Sequence, residues 1–209
     1  MGQRAILVLI SMVAVSAFLS MPYSTLMPVF ASKILSGSAQ PIVHFLCDGA
    51  DPLLRCRAPE ALPLGLLLTT VGIGALVGAL WVASLPDRVR HGRWLTAGNL
   101  VFPALLIGFA TSRSFVASLL LLFGVGVGFV MQNSLANTLL QIITPDAVRG
   151  RVMSLYSLTF QGFMRMGGLQ AGLMADWIGA PLAVGIGAVV SLAYGLFVAV
   201  RYPGVREMA

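Results

Sequence analysis

The sequence predicts an all-α membrane protein of six transmembrane helices, arranged as a single domain over residues 1–209. Three observations lead to that fold class. Hydrophobic residues make up 58% of the chain and charged residues only 10%, against roughly 25% charged in an ordinary soluble domain. One globular core of this size could not hide that apolar surplus, so the lipid bilayer is the expected first partner. The charges also cluster in short gaps, leaving apolar stretches of roughly 20 residues, the length a helix needs to cross the hydrocarbon. Finally, the stretches lack the period-two alternation of barrel strands, and an open sheet would leave unpaired backbone groups in lipid.

The first span covers residues 5–35. It is too long for a secretory signal and lacks a small-residue cleavage site, so it reads as a retained helix. Met21-Pro22 and Pro28 are expected to bend it, because a proline removes one donor and crowds the preceding turn. Ser16, Ser20 and Tyr23 share one of its faces. The longest connection, 36–62, is read as an extracytoplasmic loop. It contains Cys47 and Cys56, the only two cysteines. In an oxidising compartment they can close a small disulfide loop, the alternative being two unpaired thiols. Two cysteines with only His44 nearby are too few for a metal site, and neither a metal nor a cofactor is expected.

The later spans are 63–85, 94–111, 115–143, 152–176 and 181–200. The fourth carries Asn133, Asn137 and Gln141 at steps of four, all on one face. The fifth carries Gln161, Arg165, Gly168 and Gly172 as a second stripe. Arg165 lies near the middle of its span, too deep to snorkel easily, so it calls for a partner or a wet cavity. The third and sixth spans read as almost purely apolar supports facing lipid. Gly74-x-x-x-Gly78, Gly124-x-x-x-Gly128 and Gly168-x-x-x-Gly172 are expected to let helix backbones approach closely.

Topology follows from the distribution of one lysine and twelve arginines. The N-terminus, the second and fourth connections and the C-terminus hold eight basic residues, and the opposite side holds four. The positive-inside rule then puts both termini in the cytoplasm, in a multi-pass protein of the plasma (inner) membrane. The net charge of +6 comes from arginines scattered between apolar spans, so no nucleic-acid partner is expected.

Two connections carry motifs. Residues 78–95 read G-A-L-W-V-A-S-L-P-D-R-V-R-H-G-R-W-L, and residues 141–155 read Q-I-I-T-P-D-A-V-R-G-R-V-M-S-L. The second resembles the P-[DE]-x-x-R-G-R loop of major facilitator superfamily exporters, in the branch of macrolide-efflux and enterobactin-export proteins. The first is similar to the superfamily's G-x-x-x-D-R-x-G-R pattern, with three residues between Arg88 and Gly92 where one is usual. The resemblance runs over nearly the whole chain and matches the second six-helix half of a twelve-helix transporter, built from inverted three-helix repeats.

What the resemblance implies is efflux of small amphipathic organic molecules by alternating access. The partners would be a small-molecule substrate and either an N-terminal transporter half or a second copy of this chain. Asp87, Arg88, Gly92 and Arg93 in one connection, with Pro145, Asp146, Arg149, Gly150 and Arg151 in the other, would form cytoplasmic gating loops. There Gly92 and Gly150 are expected to permit tight turns. The alternative is charge that only sets orientation. In such a half the first, second, fourth and fifth helices line the cavity, which makes Arg165, Asn133, Asn137, Gln161, Gln141 and Tyr23 substrate-cavity candidates. The competing reading is interhelix hydrogen bonding that merely fixes packing.

Absences narrow the choice further. No Asp or Glu lies in mid-membrane, so the carrier group of a proton antiporter would have to be Asp176 or lie in the other half. There is no phosphate-binding G-x-x-x-x-G-K-[ST] loop, and no nucleophile–base pair suggests an enzyme. A truncated or non-transporting membrane subunit with a structural or regulatory role is the alternative to a transporter.

Overall fold

In the computed structural model, which describes residues 2–47, 58–86 and 91–205, all regular structure among the described residues is helical. The first span bends where its prolines require it. Helix α1 (Gly2–Val15) passes into a π turn at Ser16–Ser20, then α2 (Tyr23–Val29), then a second π turn at Phe30–Ile34. Pro22 has no N–H to give. Just before it, the Met21 N–H reaches five residues back to the Ser16 carbonyl at 3.0 Å, and beyond Pro28 the Leu35 N–H does the same to Phe30 at 2.9 Å. Such local widening is how a membrane helix absorbs proline without stranding polar groups.

The connection expected as a loop begins with a helix, α3 (Ser36–Cys47). Ala39 buries its inner face, and Ser38 Oγ accepts the Phe115 N–H at 3.1 Å, occupying a donor that the helix beginning at Phe115 leaves open. Cys47 ends α3 and Cys56 lies outside the described residues, as do Asp87 and Arg88.

Five uninterrupted helices follow among the described residues: α4 (Leu62–Ser84), α5 (His91–Thr111), α6 (Phe115–Ile143), α7 (Asp146–Ile178) and α8 (Ala180–Arg201). Among the described residues, five segments are long and apolar enough to cross a bilayer: Ala5–Ile34, Pro59–Ser84, His91–Thr111, Phe115–Ile143 and Ala180–Arg201. The sixth expected span lies within α7, which is 33 residues long but outside that set. Gln161, Arg165, Gln170 and Asp176 lower its apolarity.

Glycines set the packing. A β-carbon on Gly74 or Gly126 would collide with the Phe123 or Val71 carbonyl oxygen, and one on Gly78 would lie 2.9 Å from Val127 O, so α4 and α6 meet backbone to backbone. Gly124 and Gly128 instead turn toward Leu105 and Phe102 of α5. The third glycine pair behaves differently. Gly172 meets nothing within 4 Å and Gly168 only Thr25 Oγ1, whereas neighbouring Gly167 is pressed against Phe18 O and Pro22 of the bent first span. Between α7 and α8 stands one residue, Gly179, at φ +87°, with Pro181 opening the next helix. Such a left-handed residue followed by proline ends one helix and starts another within a single turn.

Two apolar clusters fill the interior. One gathers Phe30, Phe102, Phe109, Leu122 and Ala188; the other gathers Leu9, Val13, Leu95, Leu135, Leu139 and Tyr156. The third and sixth spans are less purely apolar than expected. Thr96 and Asn99 on α5 and Ser191 on α8 are buried, and Tyr194 donates from α8 to Ser11 on α1 at 2.7 Å.

Candidate functional site

The amide stripe of α6 lies where α6 and α7 diverge. Asn133, Ser134, Asn137 and Thr138, together with Tyr156, Phe129 and Phe160, line an open groove of about 470 Å³. The polar side chains are held in place locally. Asn133 Nδ2 donates to the Phe129 carbonyl one turn back at 3.0 Å, and Gln141 Nε2 donates to Asn137 Oδ1. Tyr156 donates from α7 to the Asn133 carbonyl at 3.3 Å, the polar tie between the two groove walls. The result is a set of amide and hydroxyl groups between two phenyl rings, able to hydrogen-bond one part of a guest and stack on another.

Gln161 and Arg165 continue along α7 on an exposed face, beyond the residues that line the groove. Arg165 has neither an ion pair nor a hydrogen bond among the described residues. A cation near the middle of a long helix with no partner in its own bundle requires water, a ligand or a group from another body. Tyr23 stands apart from this group. Its ring is 7% exposed and meets Phe102 edge-on at 6.4 Å, because the bend at Pro22 turns that face inward. Ser16 and Ser20 are buried with it.

The motif over 141–155 is the start of α7 more than a loop. Pro145 is the residue before the helix, in extended backbone, and Asp146 lies in the first turn, where a carboxylate complements the helix dipole. Arg149 reaches back to Asp146 at 2.6 Å and to the Thr144 carbonyl at 3.4 Å. Gly150 and Arg151 lie inside the helix and are exposed. Gly92 and Arg93 likewise belong to the first turn of α5. The expectation that Gly92 and Gly150 make tight turns is corrected: among the described residues only Gly179 has positive φ. Each sequence supports a helical turn there, so the glycine freedom goes unused. Trp81 and Trp94 meet edge-on at 5.4 Å and join the ends of α4 and α5.

Sequence reasoning missed Gln132 and Asn99. Both are buried, and Gln132 directly precedes Asn133, the first residue of the half-exposed stripe. A step of one residue turns a helix by about 100°, so neighbouring amides serve different faces.

Residues 52–208, three-quarters of the chain, match the family described as transmembrane secretion effector. The chain belongs to that family. It is therefore a multi-pass membrane transporter of the major facilitator type. The family's matched region runs through the groove, Arg165 and both motif-bearing connections, and leaves out α1 to α3. Comparison with curated proteins gives no match.

Proposed function

We propose that this secretion-effector domain forms one wall of an export path for small amphipathic organic molecules, working by alternating access. The observation that carries the reading is the groove of Asn133, Asn137 and Tyr156 between Phe129 and Phe160, with Gln161 and Arg165 exposed further along α7. Polar side chains on an outward face of membrane helices need water or a protein partner, and a cavity between two six-helix bodies supplies both. The second wall comes from an N-terminal half or from a second copy of this chain. The direction is taken from the family's secretion role. The membrane is the inner membrane with both chain ends in the cytoplasm, by the arginine bias. A disulfide between Cys47 and Cys56 on the outer side belongs to the same reading.

Wetness is the property to test. In membranes, with Cys47 and Cys56 replaced by serine, Asn137→Cys and Arg165→Cys are expected to react with a charged, membrane-impermeant thiol reagent. Val189→Cys, on the apolar outer face of α8, is expected to stay unlabelled. Equal protection at all three positions would put the stripe against lipid and end the proposal. In reconstituted vesicles, Arg165→Ala is expected to lower efflux of a fluorescent amphipathic dye by roughly ten- to a hundredfold, as loss of a charged hydrogen bond worth roughly 1.5–3 kcal/mol implies. Unchanged efflux from a folded variant would remove Arg165 from the path.

A further inference from the structure

Between the two apolar clusters lies a polar layer. On the first span the lower cluster ends at Val13 and the upper begins at Ala17; Ser16 stands between. On α5, Asn99 falls between Leu95 and Phe102, and on α6, Gln132 falls between Val125 and Leu135. Ser191 on α8 follows the last upper-cluster residue, Ala188. Close backbone approaches bind the helices that carry these residues. Gly195 of α8 faces Asn99 Nδ2, Gly98 of α5 faces the Gln132 backbone, and Gly187 of α8 is pressed on Leu19 O. Ser16, Ser20, Asn99, Gln132 and Ser191 are between 1% and 4% exposed.

Two hydrogen bonds join this layer. Gln132 Nε2 donates to Ser16 Oγ at 2.6 Å, and Ser16 Oγ donates to Asn99 Oδ1 at 3.4 Å. In this layer Asn99 Nδ2, Gln132 Oε1 and Ser191 Oγ have no partner among the described residues, and Ser20 Oγ, one turn further along the first span between Ala17 and Met21, has none either. Buried polar atoms in folded proteins are almost always satisfied, by protein or by ordered water. The free atoms comprise one pure donor, one pure acceptor and two hydroxyls that do either. Turning over both amides exchanges the atoms but still leaves one free donor and one free acceptor. A cation would be repelled by the amide N–H and an anion by the amide carbonyl. Water matches both.

We propose that this layer is a resident water site, in which buried water bridges Asn99, Gln132, Ser20 and Ser191. It adjoins the π turn Ser16–Ser20, whose first and last residues supply two of its hydroxyls. The site lies inside this domain and does not depend on the transport reading.

Radiolytic hydroxyl labelling of the full chain in detergent, read by mass spectrometry, tests this, because buried water generates radicals next to side chains that bulk solvent does not reach. The reporter is Met12, one turn before Ser16 and 2% exposed; the dry reference is Met27 in the upper cluster, at 0%. Met12 is expected to be oxidised several-fold faster than Met27. In Asn99→Leu/Gln132→Leu, Met12 is expected to fall to the Met27 rate. Equal rates for the two methionines in the unsubstituted protein would overturn the proposal, and that comparison needs no variant to fold. Persistence of the fast Met12 rate in a folded double variant would also overturn it, by showing access from bulk solvent. A Met12 rate that changes when sodium chloride replaces choline chloride would assign the site to a cation instead.

Discussion

Gly167 and Gly172 sit on the same helix five residues apart and serve different ends. A β-carbon at Gly167 would collide with the Phe18 carbonyl oxygen and lie 2.8 Å from Pro22 Cγ; at Gly172 it would meet nothing within 4 Å. The bent first span can lie against α7 only because Gly167 presents bare backbone. Gly167→Ala is expected to destabilise the domain by about 1–3 kcal/mol, the usual range for an overpacked contact. Gly172→Ala is expected to be neutral or to stabilise by up to about 1 kcal/mol through helix propensity. Detergent-resistance melting of the two variants side by side checks the pair, and equal losses would contradict the packing described. The sequence pattern nominated Gly168 and Gly172, because a four-residue glycine spacing says that backbones can approach without saying where a partner lies. What decides the matter is the bend at Pro22, which brings the Phe18 backbone over Gly167 while its ring packs edge-on against Phe163.

Whole elements were legible to different degrees. Hydropathy located α4, α5, α6 and α8 because lipid selects for long apolar runs, α7 is less apolar than its place as the fifth expected span implied, and two prolines announced the broken first span. Helix α3 was not legible: at 12 residues it is too short to cross a bilayer and it contains Gly37 and Pro41, so it falls within a connection. Its role shows only in contact, where Ser38 meets the Phe115 N–H. Ser38→Ala removes that cap and is expected to cost about 1 kcal/mol, readable as a lower melting temperature, whereas Ser32→Ala, whose hydroxyl bonds within its own helix, serves as a control with little change. The start of α7 gives a contrasting case. The Asp146–Arg149 pair is exposed, at 87% and 45%, so Asp146→Asn is expected to alter stability by less than about 1 kcal/mol. A much larger loss in transport than in melting temperature would locate the importance of this pair in gating. A loss of stability alone would make it structural. The amide groove was half legible. The step of four put Asn133 and Asn137 on one side, but Tyr156 on the opposite wall has no signal in α6, and the buried pair Gln132 and Asn99 breaks no period that a stripe search follows.

On the scale of the molecule, apolar side chains are abundant outside as well as inside. Leu120, Leu158, Leu169, Leu182 and Trp177 are all well exposed, as expected where lipid replaces water as the solvent. Helix α7 shares this dressing but mixes it with Arg165, Gln161 and Gln170. The single-residue link at Gly179 therefore governs biogenesis as well as shape. A central arginine adds about 2.5–3.5 kcal/mol to the insertion of an isolated helix, and each Leu, Ile, Phe or Val returns only about 0.3–0.6 kcal/mol. Helix α8 carries no charge before Arg201 and is bound to α7 by one glycine, so the two must leave the translocon as a hairpin whose partition free energies add. In a glycosylation-reporter assay with microsomes, α7 fused directly to the reporter is expected to insert inefficiently, and α7–Gly179–α8 to insert almost completely. Efficient insertion of α7 alone would remove that dependence. Otherwise, a polar helix suited to a wet interior reaches the membrane because its neighbour carries it there.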